Sequence, residues 1–157
     1  MIEPNRQGEV WVFAEQEDGM LHDVSLELCG KAREWADQLG VGVGAVLPGT
    51  RVEPLAKRLI SHGADNVYLV EDDRLAHYQT GSYCRVMSTL IEKHRPQIVV
   101  YGATAIGRDL GPRVASTMRA GLTADCTDLE IQDVPEPKTK EVHKNLLLQI
   151  RPAFGGN

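Results

Sequence analysis

Short apolar segments alternate with amphipathic segments four times between residues 9 and 118. The apolar segments are EVWVFA (9–14), VGVGAVL (41–47), NVYLVED (66–72) and QIVVYG (97–102). Each is followed by a stretch whose apolar residues recur at helical spacing. Successive strand–helix units require crossover connections, which are right-handed in nearly all proteins and build a parallel sheet covered on both faces. The sequence therefore predicts an α/β domain with a doubly wound, mostly parallel, Rossmann-like sheet.

Four helices are predicted between these strands. The first covers residues 23–40, with Asp23 as its N-cap and Gly40 as its stop. The second ends at His62-Gly63. The apolar faces of the last three helices are predicted to consist of Val52, Leu55, Ala56, Leu59 and Ile60; of Tyr83, Val86, Met87, Leu90 and Ile91; and of Leu110, Val114 and Met118. Cys29 and Cys84 fall on such apolar stripes, so we expect them to pack in the core.

The alternation ends after residue 118. The segments DCTDLEI (125–131) and EVHKNLLLQI (141–150) favour strands, and the polar QDVPEPKTK (132–140) between them favours an exposed loop. We therefore expect one domain over residues 1–157, with added C-terminal strands. Because RPAFGGN (151–157) directly follows a strong strand, we expect the chain to have been cut from a longer protein.

Composition narrows the possible functions. The formal net charge of −5 argues against a nucleic-acid ligand, which usually requires clustered excess Lys and Arg. The three cysteines show no C-x-x-C spacing and the five histidines no metal-ligand spacing, so we expect reduced thiols and no metal site. No apolar run approaches the ~20 residues of a membrane span, and no signal peptide is evident. These features predict a cytoplasmic protein that is not inserted in a membrane. No nucleophile–base set indicates a catalytic residue.

The stretch YGATAIGRDLGPRVASTM (101–118) begins where the fourth predicted strand ends. Ligands of open α/β sheets bind outside the carboxyl ends of the strands, where helix N-termini present free N–H groups to anions. Gly102, Thr104 and Gly107 could therefore approach a phosphate. The sequence of this stretch matches neither G-x-G-x-x-G nor the Walker motif. A plain turn and helix start, with Arg108 and Asp109 as solvated charges, is the other interpretation.

Two further polar features lie near the C-terminal strands. Thr123, Asp125, Cys126 and Thr127 crowd the entrance of the fifth predicted strand, where they could cap the backbone or line a cleft. Arg151 follows the last strand. Its guanidinium suits a phosphate, a carboxylate or a reduced ring, although an ordinary salt bridge explains it equally well.

Four blocks together, WVFAE, GATAIGRDLGPRVA, GLTADCTDLEI and RPAFGGN, resemble the N-terminal domain of the alpha subunit of electron transfer flavoproteins. The resemblance implies an electron carrier subunit rather than an enzyme, paired with a beta subunit and passing electrons between flavins and partner dehydrogenases. It also implies that FAD sits mainly in a C-terminal domain that begins after RPAFGGN and is absent here. We therefore expect FAD in the full-length heterodimer and none on this fragment alone.

The same resemblance implies roles for particular residues. In the family, a related turn of the beta subunit holds a nucleotide, whereas the alpha-type turn has lost that role. In flavin-bifurcating members, a second flavin occupies the cleft shared with the beta subunit. The residues that would face it are Arg151, Thr123, Asp125, Cys126 and Thr127. The rival hypothesis is a stand-alone nucleotide-binding module that holds AMP or ATP at the Gly102–Gly107 turn.

Overall fold

The computed structural model describes residues 5–124, 126–136 and 141–150, and the chain divides into two compact units, Met1–Leu122 and Thr123–Asn157. The first unit contains a four-stranded parallel sheet. Its strands are β1 (Val10–Phe13), β4 (Val43–Gly49), β5 (Asn66–Glu71) and β6 (Ile98–Val100). A short antiparallel hairpin, β2 (Gln16–Glu17) and β3 (Met20–Leu21), follows β1.

The four predicted helices are present. They are α1 (Asp23–Leu39), α2 (Ala56–Ser61), α3 (Thr80–His94) and α4 (Ala105–Met118), and 3-10 turns at Glu53–Leu55 and Asp73–Leu75 precede α2 and α3. The doubly wound α/β prediction is thereby confirmed. Gly40 ends α1 in the left-handed conformation, with φ of 68°, as predicted. The predicted N-cap of α1 is wrong by one residue, because His22 is extended and Asp23 is already helical.

The core lies between the sheet and its helices. Strands β1 and β4 are buried along their whole length, which is expected for central strands covered on both faces. The inner stripe of α4 is confirmed, since Leu110, Val114 and Met118 belong to the main hydrophobic cluster with Trp11 and Phe13. That cluster gives the first unit its stability.

One core prediction needs correction. Ile60 is 53% exposed, although the pattern placed it on the buried face of the second helix. The segment begins as a 3-10 turn with three residues per turn, which rotates the buried stripe away from Ile60. Cys29 is fully buried as expected, and Cys84 is half-buried, packs against the main hydrophobic cluster and lies 3.6 Å from the Thr117 hydroxyl on α4.

The strand order is β5-β4-β1-β6. From β1 the chain moves to β4 and β5 on one side and then returns to place β6 on the other side of β1. The carboxyl ends of β1 and β6 therefore flank the point where strand order reverses. In doubly wound sheets this switch point is the usual ligand crevice.

The second unit contains an antiparallel hairpin of β7 (Asp128–Pro135) and β8 (Val142–Ile150). Both predicted C-terminal strands are confirmed. The predicted loop is wrong at its start, because residues 132–135 continue β7 beyond a register shift between Gln132 and Val134. The shift keeps Val134 opposite His143, so pairing extends further than the polar sequence indicates. Residues 137–140 of that predicted loop lie outside the described residues.

Candidate functional site at the sheet switch point

The turn that the sequence singled out lies at the carboxyl end of β6, beside the end of β1. Thr104 is the N-cap of α4, with extended backbone angles of φ −92° and ψ 174°. Its Oγ1 accepts a hydrogen bond from the backbone N–H of Gly107 at 3.0 Å. This bond satisfies one of the otherwise unpaired donors in the first turn of the helix.

Gly107 is required by a close approach of two backbone segments. A Cβ atom at this position would overlap the carbonyl oxygen of Gly102 and lie 3.1 Å from its carbonyl carbon. The absence of a side chain therefore lets the first turn of α4 fold directly onto the end of β6. Thr104 is thereby brought to the switch point.

Glu15 is the site residue that the sequence analysis missed. It directly follows the buried run of β1 and is itself only 2% exposed. The Thr104 hydroxyl lies 2.8 Å from each of its carboxylate oxygens and donates to them. The one local signal was an acidic residue placed immediately after an apolar strand. That signal does not reveal which way the carboxylate points.

The backbone of Glu15 is held by the start of α1. Its N–H donates to Ser25 Oγ at 2.8 Å, and its carbonyl accepts from Ser25 Oγ at 3.2 Å and from the His22 N–H at 3.0 Å. Ser25 is fully buried. Hydrogen bonds to both its N–H and its carbonyl therefore fix the backbone of Glu15, and its side chain extends from there into the crevice.

Burial raises the pKa of the Glu15 carboxyl, and the Thr104 hydrogen bond and the charge of His22 oppose this effect. A buried carboxylate is unfavourable unless hydrogen bonds and nearby positive potential compensate for lost hydration. Thr104 supplies a hydrogen bond, and the N-terminus of α4 supplies positive potential. The crevice thus already contains an anion contributed by the chain.

The charged residues of α4 have structural partners. Asp109 accepts hydrogen bonds from the Tyr78 hydroxyl at 2.7 Å and from the Thr80 hydroxyl, and Arg113 Nε lies 3.4 Å from it. Hydrogen bonds from Thr80 and Tyr78 lower the pKa of Asp109. The interpretation of Asp109 as a merely solvated charge is therefore wrong, because it links α4 to the start of α3.

The residues predicted to face a flavin fall in the second unit. Thr127 donates to the Ile150 carbonyl through both its N–H, at 2.7 Å, and its hydroxyl, at 3.2 Å. Cys126 is half-buried, and its Sγ lies 4.0 Å from the Thr123 carbonyl oxygen. Thr123, Cys126 and Thr127 thus gather at the open end of the β7–β8 hairpin. Asp125 and Arg151 lie outside the described residues.

Metal-binding clusters and membrane-spanning helices are both absent from the part of the chain that the structure describes. Within residues 5–124, 126–136 and 141–150, no cluster of three or more His, Cys, Asp or Glu side chains is arranged to hold a metal ion. In that part of the chain no helix has the length and apolar character needed to cross a membrane.

Comparison with known proteins places the chain in a family. Residues 10–157 match the electron transfer flavoprotein domain. The electron transfer flavoprotein subunit alpha of Thermoanaerobacterium thermosaccharolyticum is 50% identical over 153 residues, which cover 98% of this chain and 43% of the relative. The subunit alpha of Clostridium acetobutylicum is 51% identical over 148 residues, covering 94% and 41%.

A third relative carries a different name. The lactate dehydrogenase (NAD(+),ferredoxin) subunit LctC of Acetobacterium woodii is 41% identical over 148 residues, covering 94% of this chain and 33% of the relative. The chain thus spans less than half the length of each of these three relatives. Because the domain match extends over nearly all of its residues, the chain belongs to the electron transfer flavoprotein family.

Proposed function

We propose that this chain is an alpha-type domain of an electron transfer flavoprotein, which docks on a beta subunit and forms one wall of a flavin cleft. Electrons would pass through the assembled heterodimer between flavins and partner dehydrogenases, with FAD as the cofactor of the full-length protein. The match over residues 10–157 carries this proposal. The names of the relatives, which describe alpha subunits and a dehydrogenase subunit, support it.

The β7–β8 hairpin is the proposed docking element. A two-stranded ribbon has no interior of its own and is marginally stable in water unless something covers its apolar side chains. Leu146, Leu148 and Ile150 alternate along β8 and therefore share one face. Leu146 is 36% exposed and Ile150 is 45% exposed. Across the hairpin these three residues pair with Gln132, Glu130 and Asp128 of β7, so a polar row borders the apolar one. An exposed apolar row with a polar border is typical of a surface that a partner subunit buries.

The flavin wall is assigned to Thr123, Asp125, Cys126, Thr127 and Arg151. When bound, the flavin supplies the redox chemistry. The hydroxyl of Thr127 is already engaged with Ile150, the residue that precedes Arg151 in the chain. Because this hydroxyl bonds within the hairpin, it suits one preformed wall of the cleft better than a pocket that encloses the flavin. The larger part of any flavin site would therefore come from the beta subunit and from the rest of the full-length chain.

The docking proposal is tested with the full-length protein and its beta subunit. Leu146→Asp and Ile150→Asp place a charge on the apolar face of β8, and Gln149→Asp places the same charge on the opposite face, next to Leu147. Burying an unpaired charge at an interface costs several kcal/mol, so both apolar-face variants should weaken the heterodimer by more than about tenfold. The measurement is the dissociation constant by calorimetry.

The control separates docking from folding. Gln149→Asp should leave the dissociation constant unchanged, because Gln149 is exposed and lies on the face of β8 that is not proposed to dock. Equal affinities for all three variants and the native protein would refute docking through this face. If Leu146→Asp instead destabilised the full-length alpha subunit alone, a covering segment of the same chain, rather than the beta subunit, would be its partner.

A further inference from the structure

The Glu15 carboxylate lies where the fold would otherwise offer a phosphate site. The switch point between β1 and β6 combines the start of a helix with a glycine turn, and in this architecture such crevices bind the phosphates of nucleotides. Here the group that contacts Thr104, the N-cap of α4, is the side chain of Glu15, and only 2% of this residue is exposed.

The space around Glu15 is filled. A Cβ atom added to Gly102 would lie 3.0 Å from Glu15 Oε1 and 3.1 Å from both methyl groups of Val24. The end of β6 and the start of α1 therefore pack closely around the carboxylate. A phosphate could enter only by displacing the Glu15 side chain.

The hydrogen bonds at the cap are also committed. Thr104 Oγ1 accepts from Gly107 N–H and donates to the Glu15 carboxylate, so its single hydroxyl proton is used. The Glu15 backbone is fixed by Ser25, which limits the freedom of the side chain to swing away. A phosphate would find the Thr104 hydroxyl already donating to Glu15 and would lie close to the negative charge of that carboxylate. Such a juxtaposition of like charges costs several kcal/mol.

We infer that Glu15 is a built-in anion that closes the switch-point crevice to phosphate-bearing ligands, and that its removal opens the crevice to the phosphate of a nucleoside monophosphate. Glu15 thereby determines the ligand specificity of this crevice. The inference concerns the first unit alone and does not depend on docking through the β7–β8 hairpin. The ligands that Glu15 would exclude are phosphate monoesters.

The test compares the native chain with Glu15→Ala and Glu15→Gln. Alanine removes both the charge and the volume, while leaving the bond between Thr104 and Gly107 in place. Glutamine removes the charge but keeps nearly the same volume. Binding of inorganic phosphate, AMP and adenosine is measured by calorimetry and by the ligand-dependent rise in melting temperature.

Glu15→Ala is expected to bind AMP and inorganic phosphate more than about tenfold more tightly than the native chain does. Glu15→Gln should gain less than Glu15→Ala, because it removes the like charge while the crevice remains filled. Tighter binding of AMP than of phosphate would identify a nucleotide site, and equal binding would identify a site for the phosphate group alone. Either result supports the inference.

Three results would overturn it. One is native protein that binds AMP as tightly as Glu15→Ala, another is a folded Glu15→Ala that binds neither anion, and the third is adenosine binding equal to AMP binding. Glu15→Ser, whose side chain is also short and uncharged, is measured in parallel in case alanine prevents folding. The same criteria apply to the serine variant.

Discussion

Replacement of Gly107 by alanine tests the close packing that builds the switch point. The added Cβ would overlap the Gly102 carbonyl oxygen, which is backbone and cannot rotate away as a flexible side chain can. Either the start of α4 or the end of β6 must shift. Such overpacking typically costs about 1–3 kcal/mol and occasionally more. Alanine also favours the helix by roughly 0.5–1 kcal/mol relative to glycine, which offsets part of the loss.

We expect an overpacking cost near the upper end of that range, because the overlapping atom is backbone, and after the helix gain the net destabilisation by Gly107→Ala is about 2 kcal/mol. A loss of this size lowers the melting temperature by roughly 4–8 °C for a chain of this length. The bond from the Gly107 N–H to Thr104 would also be strained, since it depends on the same approach.

The matched control lies one turn further along α4. A Cβ added to Gly111 would be 3.5 Å from the ring of Tyr101, which is ordinary contact. Gly111→Ala should therefore change the stability by less than about 1 kcal/mol, because the helical preference for alanine over glycine is opposed by the steric restriction that Pro112 places on the residue before it. The two variants add the same methyl group to the same helix, and only Gly107→Ala is expected to be clearly destabilised.

Urea unfolding followed by tryptophan fluorescence measures both effects. Trp11 and Trp35 are buried in the first unit and are the only tryptophans of the sequence, so the signal reports on that unit. A Gly107→Ala variant as stable as the native chain or as Gly111→Ala would refute the close approach. An unchanged slope of the unfolding transition would show that the same surface is exposed in each case.

Three further predictions concern cofactor, thiols and redox tuning. The purified 157-residue chain should retain no FAD, because a flavin against one wall stays largely solvated; stoichiometric flavin absorbance in the preparation would contradict this. Cys29 should be the slowest thiol to react with a labelling reagent, since it is fully buried and burial raises the pKa of its thiol to about 11, so that raising the pH to about 9 should not accelerate it. Cys126 should react faster than Cys84, and the reverse order would show that the polar strand entrance is closed. Arg151→Ala in the full-length heterodimer should lower the flavin reduction potential, because a nearby cation stabilises the anionic reduced form, while the stability loss stays at about 1 kcal/mol or less. An unmoved potential with a large drop in melting temperature would assign Arg151 to a structural ion pair.

Elements set by short-range patterns were predictable from the sequence. The apolar stripe of α4 and the left-handed stop at Gly40 depend on neighbours within a few positions, and both are present. The errors arose where a local pattern was incomplete. The 3-10 turn ahead of α2 moved Ile60 into solvent, and a register shift carried β7 through residues that read as a loop.

The sequence by itself determined the α/β class and the family, because hydrophobic periodicity and the four sequence blocks are properties of the chain read in order. Only the tertiary structure decided what occupies the switch point. Glu15 and Thr104 are separated by 89 positions, and their contact depends on β6 returning to the side of β1 opposite β4. Asp109 likewise finds Tyr78 and Thr80 only because α3 and α4 pack together. A carboxylate after a strand reads the same in sequence whether it faces water or a helix cap, and the long-range strand order decides between the two.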